Sequence, residues 1–199
     1  MRQRLRPMPS KAELDKLYAT PHRHDKWVDH RVRVDVTTAL ALGVVRHDST
    51  VVDLSCGDAA IARSLHEHNA VRLVLGDYAP PQEFDRHLPG GENRLVGPIE
   101  ETIDQVRDRQ ADLWILSETV EHLDDPDTVL KRIRRKTNIL ILSTPDGEDN
   151  DQNPEHVWGW DSEAVGEMLA TAGFDPIIHT VLDLRPGGWT YAYQIWVCR

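Results

Sequence analysis

The chain has 199 residues, 40% of them hydrophobic, with 12 prolines, 12 glycines and a formal charge of −10. That size suits one globular domain with a full core, and no internal repeat or low-complexity tract interrupts it. No apolar run approaches the ~20 residues of a membrane span, the N-terminal MRQRLRPMPS lacks an apolar signal core, and Cys56 and Cys198 lie too far apart in sequence for a CxxC-type pattern. The expectation is a cytoplasmic protein without membrane attachment, disulfide framework or zinc cage.

The charge is unevenly spread. Residues 1–46 hold ten Lys/Arg against five Asp/Glu, a local +5, and the other 153 carry 13 basic and 28 acidic residues, a local −15. An acidic body repels a long phosphate backbone, so nucleic acid is not favoured as a partner. If it bound, contact would begin at the basic N-terminal segment.

In chain order, Ser10 and Glu13 form a capping box that predicts a short helix through Tyr18. The polar segment TPHRHDKW (20–27) is a break, and a second helix is expected from about Lys26 to Leu42, with Val28, Val32, Val36 and Leu40 along one stripe. TVVDL (50–54), VRLVLGD (71–77), RLVG (94–97), ADLWILS (111–117) and NILILST (138–144) read as strands. Helices are expected between and after them at Ala59–His68, Pro81–Leu88, Glu100–Arg109, Asp125–Arg135 and Asp161–Ala172. Two extended stretches, 175–184 and 189–198, joined by RPGG, read as a terminal hairpin. Alternating strands and helices imply a parallel sheet buried on both faces. The expected fold is therefore α/β: a doubly wound, Rossmann-like seven-stranded sheet with an antiparallel C-terminal hairpin. A helical N-terminal extension or cap (1–46) precedes the main domain (47–199).

The first strand runs into a turn of small residues and then a helix, VVDLSCGDAAIA (51–62). Close backbone approach of a ligand at the carboxyl end of a strand demands small side chains there. A dinucleotide would need a GxGxxG turn for its pyrophosphate, and this turn has one glycine, which counts against a dehydrogenase. The second strand ends in Asp77, 24 residues after Asp53, where a carboxylate can accept hydrogen bonds from both ribose hydroxyls of a nucleoside.

These segments resemble the S-adenosyl-L-methionine (AdoMet) motif of class I methyltransferases, whose sheet likewise ends in an inserted antiparallel strand. Asp53, Cys56 and Gly57 match, while Ser55 and Ala59 stand where the first and third glycines are usual. The resemblance implies an AdoMet-dependent methyltransferase in which Asp77 binds the ribose and Tyr78 flanks the adenine. The backbone N–H of Ile99 would bond the adenine, because Pro98 occupies the position of the usual acid. Ser117 would line the cofactor edge after the fourth strand.

That strand leads into E-x-x-E-H, Glu118–His122. On a helical turn Glu118, Glu121 and His122 would share one face, and His156, in the loop after the fifth strand, could reach it. Such an O/O/N/N set suits Mg²⁺ or Mn²⁺, the imidazoles tilting it toward Mn²⁺, Fe²⁺ or Co²⁺. The segment resembles the metal signature of small-RNA 2′-O-methyltransferases, in which a later His supplies the fourth ligand, and that of ubiquinone-pathway O-methyltransferases. Three readings stay open: a metal site; acid–base or positioning roles for Glu118, His122 and His156; and a plain structural turn. Asp124, Asp125 and Asp127 read as an acidic helix start.

The stretch PHRHDKWVDHRVR (21–33) is either a basic surface helix or a cap whose His and Arg groups touch the acceptor. The favoured function is O-methylation of a small-molecule or nucleotide-type acceptor. An RNA 2′-O-methyltransferase and a non-catalytic AdoMet-binding protein are the alternatives.

Overall fold

The computed structural model describes residues 1–19, 27–79, 94–147, 151 and 153–199. Residues 20–26 of the polar break read at 20–27, and the helix read at 81–88, lie outside the described residues. Strand β1 (Arg2–Arg4) is followed by α1 (Lys11–Leu17), α2 (Val28–Leu42), β2 (Thr50–Asp53), α3 (Ala60–Asn69), β3 (Arg72–Asp77) and β4 (Leu95–Val96). Then come α4 (Ile99–Thr102), β5 (Leu113–Ser117), α5 (Pro126–Lys136), β6 (Leu140–Pro145), β7 (Trp158–Trp160), α6 (Ser162–Thr171), β8 (Pro176–Asp183) and β9 (Ala192–Cys198).

Seven strands form one sheet in the order β4-β3-β2-β5-β6-β9-β8, in which β2 to β6 run parallel while β9 is antiparallel to both β6 and β8. Each central strand alternates its side chains between two apolar layers. Val52, Trp114, Leu116, Leu140 and Leu142 pack on one side against residues of α4, α5 and α6. Val51, Leu113, Ile115, Ile141 and Val197 pack on the other against residues of α2 and α3. The continuous apolar runs seen in the sequence follow from burial on both faces.

Helix ends follow local chemistry. The Ser10–Glu13 capping box is formed, Asp125 and Asp161 cap α5 and α6 through their side chains, and Gly173 follows α6 with φ +88°. Both cysteines are buried and free.

Four local expectations are revised. On α2, Val28 is exposed and Val32, Val36 and Leu40 are only half-buried; the buried face runs through Arg33, Val34, Thr37, Thr38 and Ala41. A strict i+4 row drifts about 40° per step round a helix, and α2 is turned so that Arg33 enters the protein. The expected helix at 100–109 is one α-turn plus a 3₁₀ turn (Ile103–Gln105), stopped where Val106 becomes extended and is buried. The C-terminal hairpin is wider than RPGG: a 3₁₀ turn spans Arg185–Gly187, its carboxylate anchor being Asp183, and β9 begins only at Ala192. Finally, β1 and β7 form a separate two-stranded antiparallel ribbon that the sequence reading did not contain. Arg2 lies over the Trp158 ring at 4.5 Å and pairs with Asp127, while Arg4 pairs with Asp124. The basic N-terminus and the acidic start of α5 thus neutralise one another.

Candidate active site

A cavity of about 510 Å³ opens at the carboxyl ends of β2, β3, β5 and β6 and is lined in part by α2 and by Leu14 and Tyr18. Of the residues expected at the site, all but Glu121 line it directly.

The wall formed by β2 and β3 is held by short-range backbone contacts. Asp53, at the end of β2, accepts from the Ser55 N–H at 3.2 Å; burial, with the nearby charge of Asp77 adding to it, pushes its carboxyl up to about 7. The Cys56 N–H donates to the Gly76 carbonyl. Gly57 adopts φ +53° and its N–H donates to Asp77 Oδ2 at 2.7 Å, so the ligand turn and the strand-end acid are joined directly. Ala59, at the place of a usual glycine, also sits in the left-handed region at φ +55°, where a Cβ is disfavoured. Asp77 Oδ1 accepts from the Ala79 N–H, and the buried Arg94 lies 3.6 Å from Oδ2 while donating to the Gly57 carbonyl. Tyr78 donates to Asp15 of α1 and its ring lies 5.2 Å from that of Tyr18. Ile99 opens α4, where first-turn N–H groups lack intrahelical partners.

The opposite wall gathers residues distant in sequence. Ser117 shares a hydrogen bond with Ser143 (2.8 Å) and accepts from Arg33 of α2, a residue only 3% exposed. Glu118 follows with φ +50°, so the chain breaks from helical geometry before the 3₁₀ turn Val120–His122. Glu118, Glu121 and His122 therefore do not share the face of one helical turn. Glu118 Oε1 accepts from Ser143 Oγ at 2.8 Å and lies 3.9 Å from Arg33 Nε; burial raises its pKa, and the Arg33 charge opposes the rise.

Glu121 is 1% exposed. Its Oε2 accepts from Thr144 Oγ1 at 3.0 Å, while its buried Oε1 has no hydrogen-bond partner among the described residues and lies 3.8 Å from His122 Nε2. Burial, reinforced by the Glu118 charge, pushes the Glu121 carboxyl up to about 8. His122 Nδ1 donates to the Glu155 carbonyl, leaving Nε2 toward Glu121. His156 Nδ1 is bonded to the Asp151 carboxylate, and the two imidazoles meet edge to face at 4.8 Å. Burial opposes a charge on His156, but Asp151, Glu121 and Glu118 together raise its pKa.

One ligand atom each from Glu121, His122 and His156 lies within 4.8 Å of the others. Glu118, expected with them, is not in that group; its carboxylate faces Ser143 and Arg33 instead.

Several site residues escaped the sequence reading. Arg33 belongs to the stretch 21–33, read as a basic surface helix or an acceptor cap, but nothing there points to its partners Ser117 and Glu118, 84 and 85 positions away. Asp151 and Asn153 looked like a polar loop, although Asp-x-Asn before Pro is an Asx-turn signal that could have been read.

Residues 52–138 match a family model described as a methyltransferase domain. No curated protein sequence matches the chain. Among solved structures, the fold is similar to a Burkholderia thailandensis 1,6-didemethyltoxoflavin-N1-methyltransferase holding its substrate and S-adenosylhomocysteine, at 16% identity and TM-score 0.71 over 98% of this chain and 92% of that one. A SAM-dependent methyltransferase from Archaeoglobus fulgidus aligns at 15% identity and TM-score 0.62, covering 83% and 94% of the two chains. The [4+2]-cyclase SpnF aligns at 13% identity and TM-score 0.69, covering 85% and 81%. The sheet order and the matched domain agree: residues 52–138 form a methyltransferase domain, carried on the fold of SAM-dependent methyltransferases.

Proposed function

We propose that the protein transfers the AdoMet methyl group to an oxygen of a small-molecule or nucleotide-type acceptor, with a divalent ion held by Glu121, His122 and His156. The observation that carries the metal reading is the convergence of three ligand atoms within 4.8 Å around a buried carboxylate oxygen that has no hydrogen-bond partner among the described residues. A buried, unpartnered carboxylate oxygen is unfavourable by itself, and an O/N/N donor set suits Mn²⁺ or a similar ion, with Mg²⁺ less favoured. A bound ion would lower the pKa of an acceptor hydroxyl and orient its oxygen.

The acceptor class is supported by cavity chemistry. A volume of about 510 Å³ falls in the range that takes small molecules. Its walls carry Asp29, Asp53, Asp77, Glu100, Glu118 and Glu155 against Arg33 as the strong cation, which suits a sulfonium cofactor and disfavours a polyphosphate chain. That argues against the RNA alternative.

Methyl transfer from a sulfonium is an in-line displacement, so the protein's task is alignment and supply of an unprotonated nucleophile. In this reading Asp77 accepts the ribose hydroxyls, Tyr78 flanks the adenine and the Ile99 N–H meets its ring, with Asp53, Ser55, Cys56, Gly57 and Ser117 lining the rest. Glu118, whose raised pKa brings it toward neutral working pH, accepts the acceptor proton as general base. With the imidazoles engaged as ligands, His122 and His156 act by positioning. Within residues 1–46, α1 covers the cofactor end of the cavity and α2 the acceptor end.

Calorimetry with S-adenosylhomocysteine, then methyl transfer into small-molecule and RNA fractions with EDTA or added Mn²⁺, tests this. Binding, activity in the small-molecule fraction, inhibition by EDTA and an inactive Glu121→Ala variant are expected. An active Glu121→Ala protein indifferent to EDTA would sink the metal reading. Activity confined to RNA would replace the acceptor class.

A further inference from the structure

Two neighbours act on the His156 ring with opposite consequences. Its Nδ1 is bonded to the Asp151 carboxylate, and its Nε2 lies 3.1 Å from Asn153 Nδ2. The Asn153 amide is fixed in orientation because its Oδ1 accepts from the Glu155 N–H at 3.0 Å. Its NH₂ group is therefore what faces the ring. An NH₂ group needs a lone pair, so Nε2 is the acceptor and the ring proton sits on Nδ1, toward Asp151. Asp151 is itself held, accepting from the Asn153 N–H at 2.7 Å and from the Tyr191 hydroxyl at 3.4 Å.

With Nδ1 committed to Asp151, Nε2 is the atom His156 can offer to the group it forms with Glu121 and His122. That same lone pair is taken by Asn153. We propose that Asp151 and Asn153 are positioning residues that tune metal affinity in opposite directions. Asp151 orients His156 and makes it the stronger ligand, and Asn153 occupies the ligating lone pair until an ion displaces it. The proposal rests on the metal reading above. A carboxylate behind a ligating imidazole fixes its tautomer and raises its basicity, whereas a hydrogen bond that must break before ligation subtracts from affinity. The site is thus both preorganised and restrained, so that occupancy depends on the free ion concentration.

Mn²⁺ titration of the full-length, EDTA-stripped protein holding S-adenosylhomocysteine tests this by calorimetry. Asp151→Asn keeps the side-chain shape and removes the charge; it is expected to weaken Mn²⁺ by about 10–100-fold. Asn153→Ser retains a short acceptor for the Glu155 N–H but withdraws the NH₂ group, and should tighten Mn²⁺ by about fivefold. Unchanged affinity in Asp151→Asn, or weakened affinity in Asn153→Ser, overturns the proposal while leaving the metal reading intact. A wild-type protein that takes up no Mn²⁺ overturns both. Long-range nitrogen–proton correlation spectra give a second readout that needs no variant to fold: metal-free His156 should be protonated on Nδ1, and protonation on Nε2 would overturn the assignment.

Discussion

The two walls of the cavity are built by different means. The β2–β3 wall, assigned above to the cofactor, is mainly a local construction: Asp53 bonds Ser55 and Gly57 bonds Asp77, 2 and 20 residues apart, and Arg94 reaches the Gly57 carbonyl from 37 positions away. The opposite wall, assigned above to the acceptor, is assembled from α2, the ends of β5 and β6, Asp151 and residues 153–156, with contacts such as Arg33–Ser117 spanning 84 positions and Glu118–Ser143 spanning 25. The first relies mainly on backbone N–H groups, with one buried Arg94–Asp77 pair behind them, and the second on side-chain charges taken out of water. A wall of backbone groups withstands side-chain change, except at its acids. A wall of buried charges depends on each counter-charge.

The largest expected effect lies on the acceptor wall. Arg33→Met removes the guanidinium beside Glu118 and should destabilise the protein by about 3 kcal/mol, since the carboxylate then lacks its buried counter-charge. Thermal melting should show a drop of roughly 8 °C. A change under about 2 °C would mean that protonation of Glu118 compensates and that the walls differ less than argued.

Next comes the pH response of Asp53. Its folded pKa, about 7, lies above the ordinary carboxylate value, so the folded state holds a proton that the unfolded state releases. Stability from this group is therefore fully present below pH ~4 and lost as pH rises through ~7, by roughly 2–4 kcal/mol. Urea unfolding between pH 5 and 8.5 measures it, and Asp53→Asn should flatten the profile because an amide oxygen can still accept from Ser55. A profile unchanged by the substitution would assign the slope to another group.

Asp77→Ala comes third, with a loss of about 100-fold in S-adenosylhomocysteine affinity, the worth of two hydrogen bonds to a charged acceptor. Calorimetry of Asp77→Ala beside Arg33→Met sharpens the contrast, because Arg33→Met should change that affinity less than threefold. The smallest effect is on Ala59→Gly. Relief of left-handed strain at φ +55° outweighs the added freedom of the unfolded chain by about 0.5 kcal/mol. A destabilised Ala59→Gly variant would show that the turn relies on the Ala59 methyl group, which is buried.

The same contrast explains what could be read in advance. The strands, their burial on both faces and the cofactor turn were legible because each is written in consecutive residues: Val51–Val52, Leu113–Leu116, Asp53–Gly57. Glu121, His122 and His156 were legible as candidates because their residue types are unusual at a strand end. Their split from Glu118 was not, because it depends on Glu118 entering the left-handed region and on Arg33 arriving from a helix that looks amphipathic in the wrong register. Nor was the β1–β7 ribbon, whose strands are three residues long and over 150 positions apart. Such short segments carry no periodicity of their own.

That ribbon imposes an order on synthesis. Arg2–Arg4 leave the ribosome long before Trp158–Trp160, and at about 5–20 residues per second the first strand waits roughly 10–30 s for its partner. His156 stands just ahead of that late partner, and the β9 strand that completes the sheet beside β6 emerges later still. The turns after β2 and β3, finished by residue 79, are made of segments available early. Nascent chains halted near residue 110 should therefore contain the turns after β2 and β3 but none of Glu121, His122 and His156, so the metal site proposed above can form only in chains that are nearly complete.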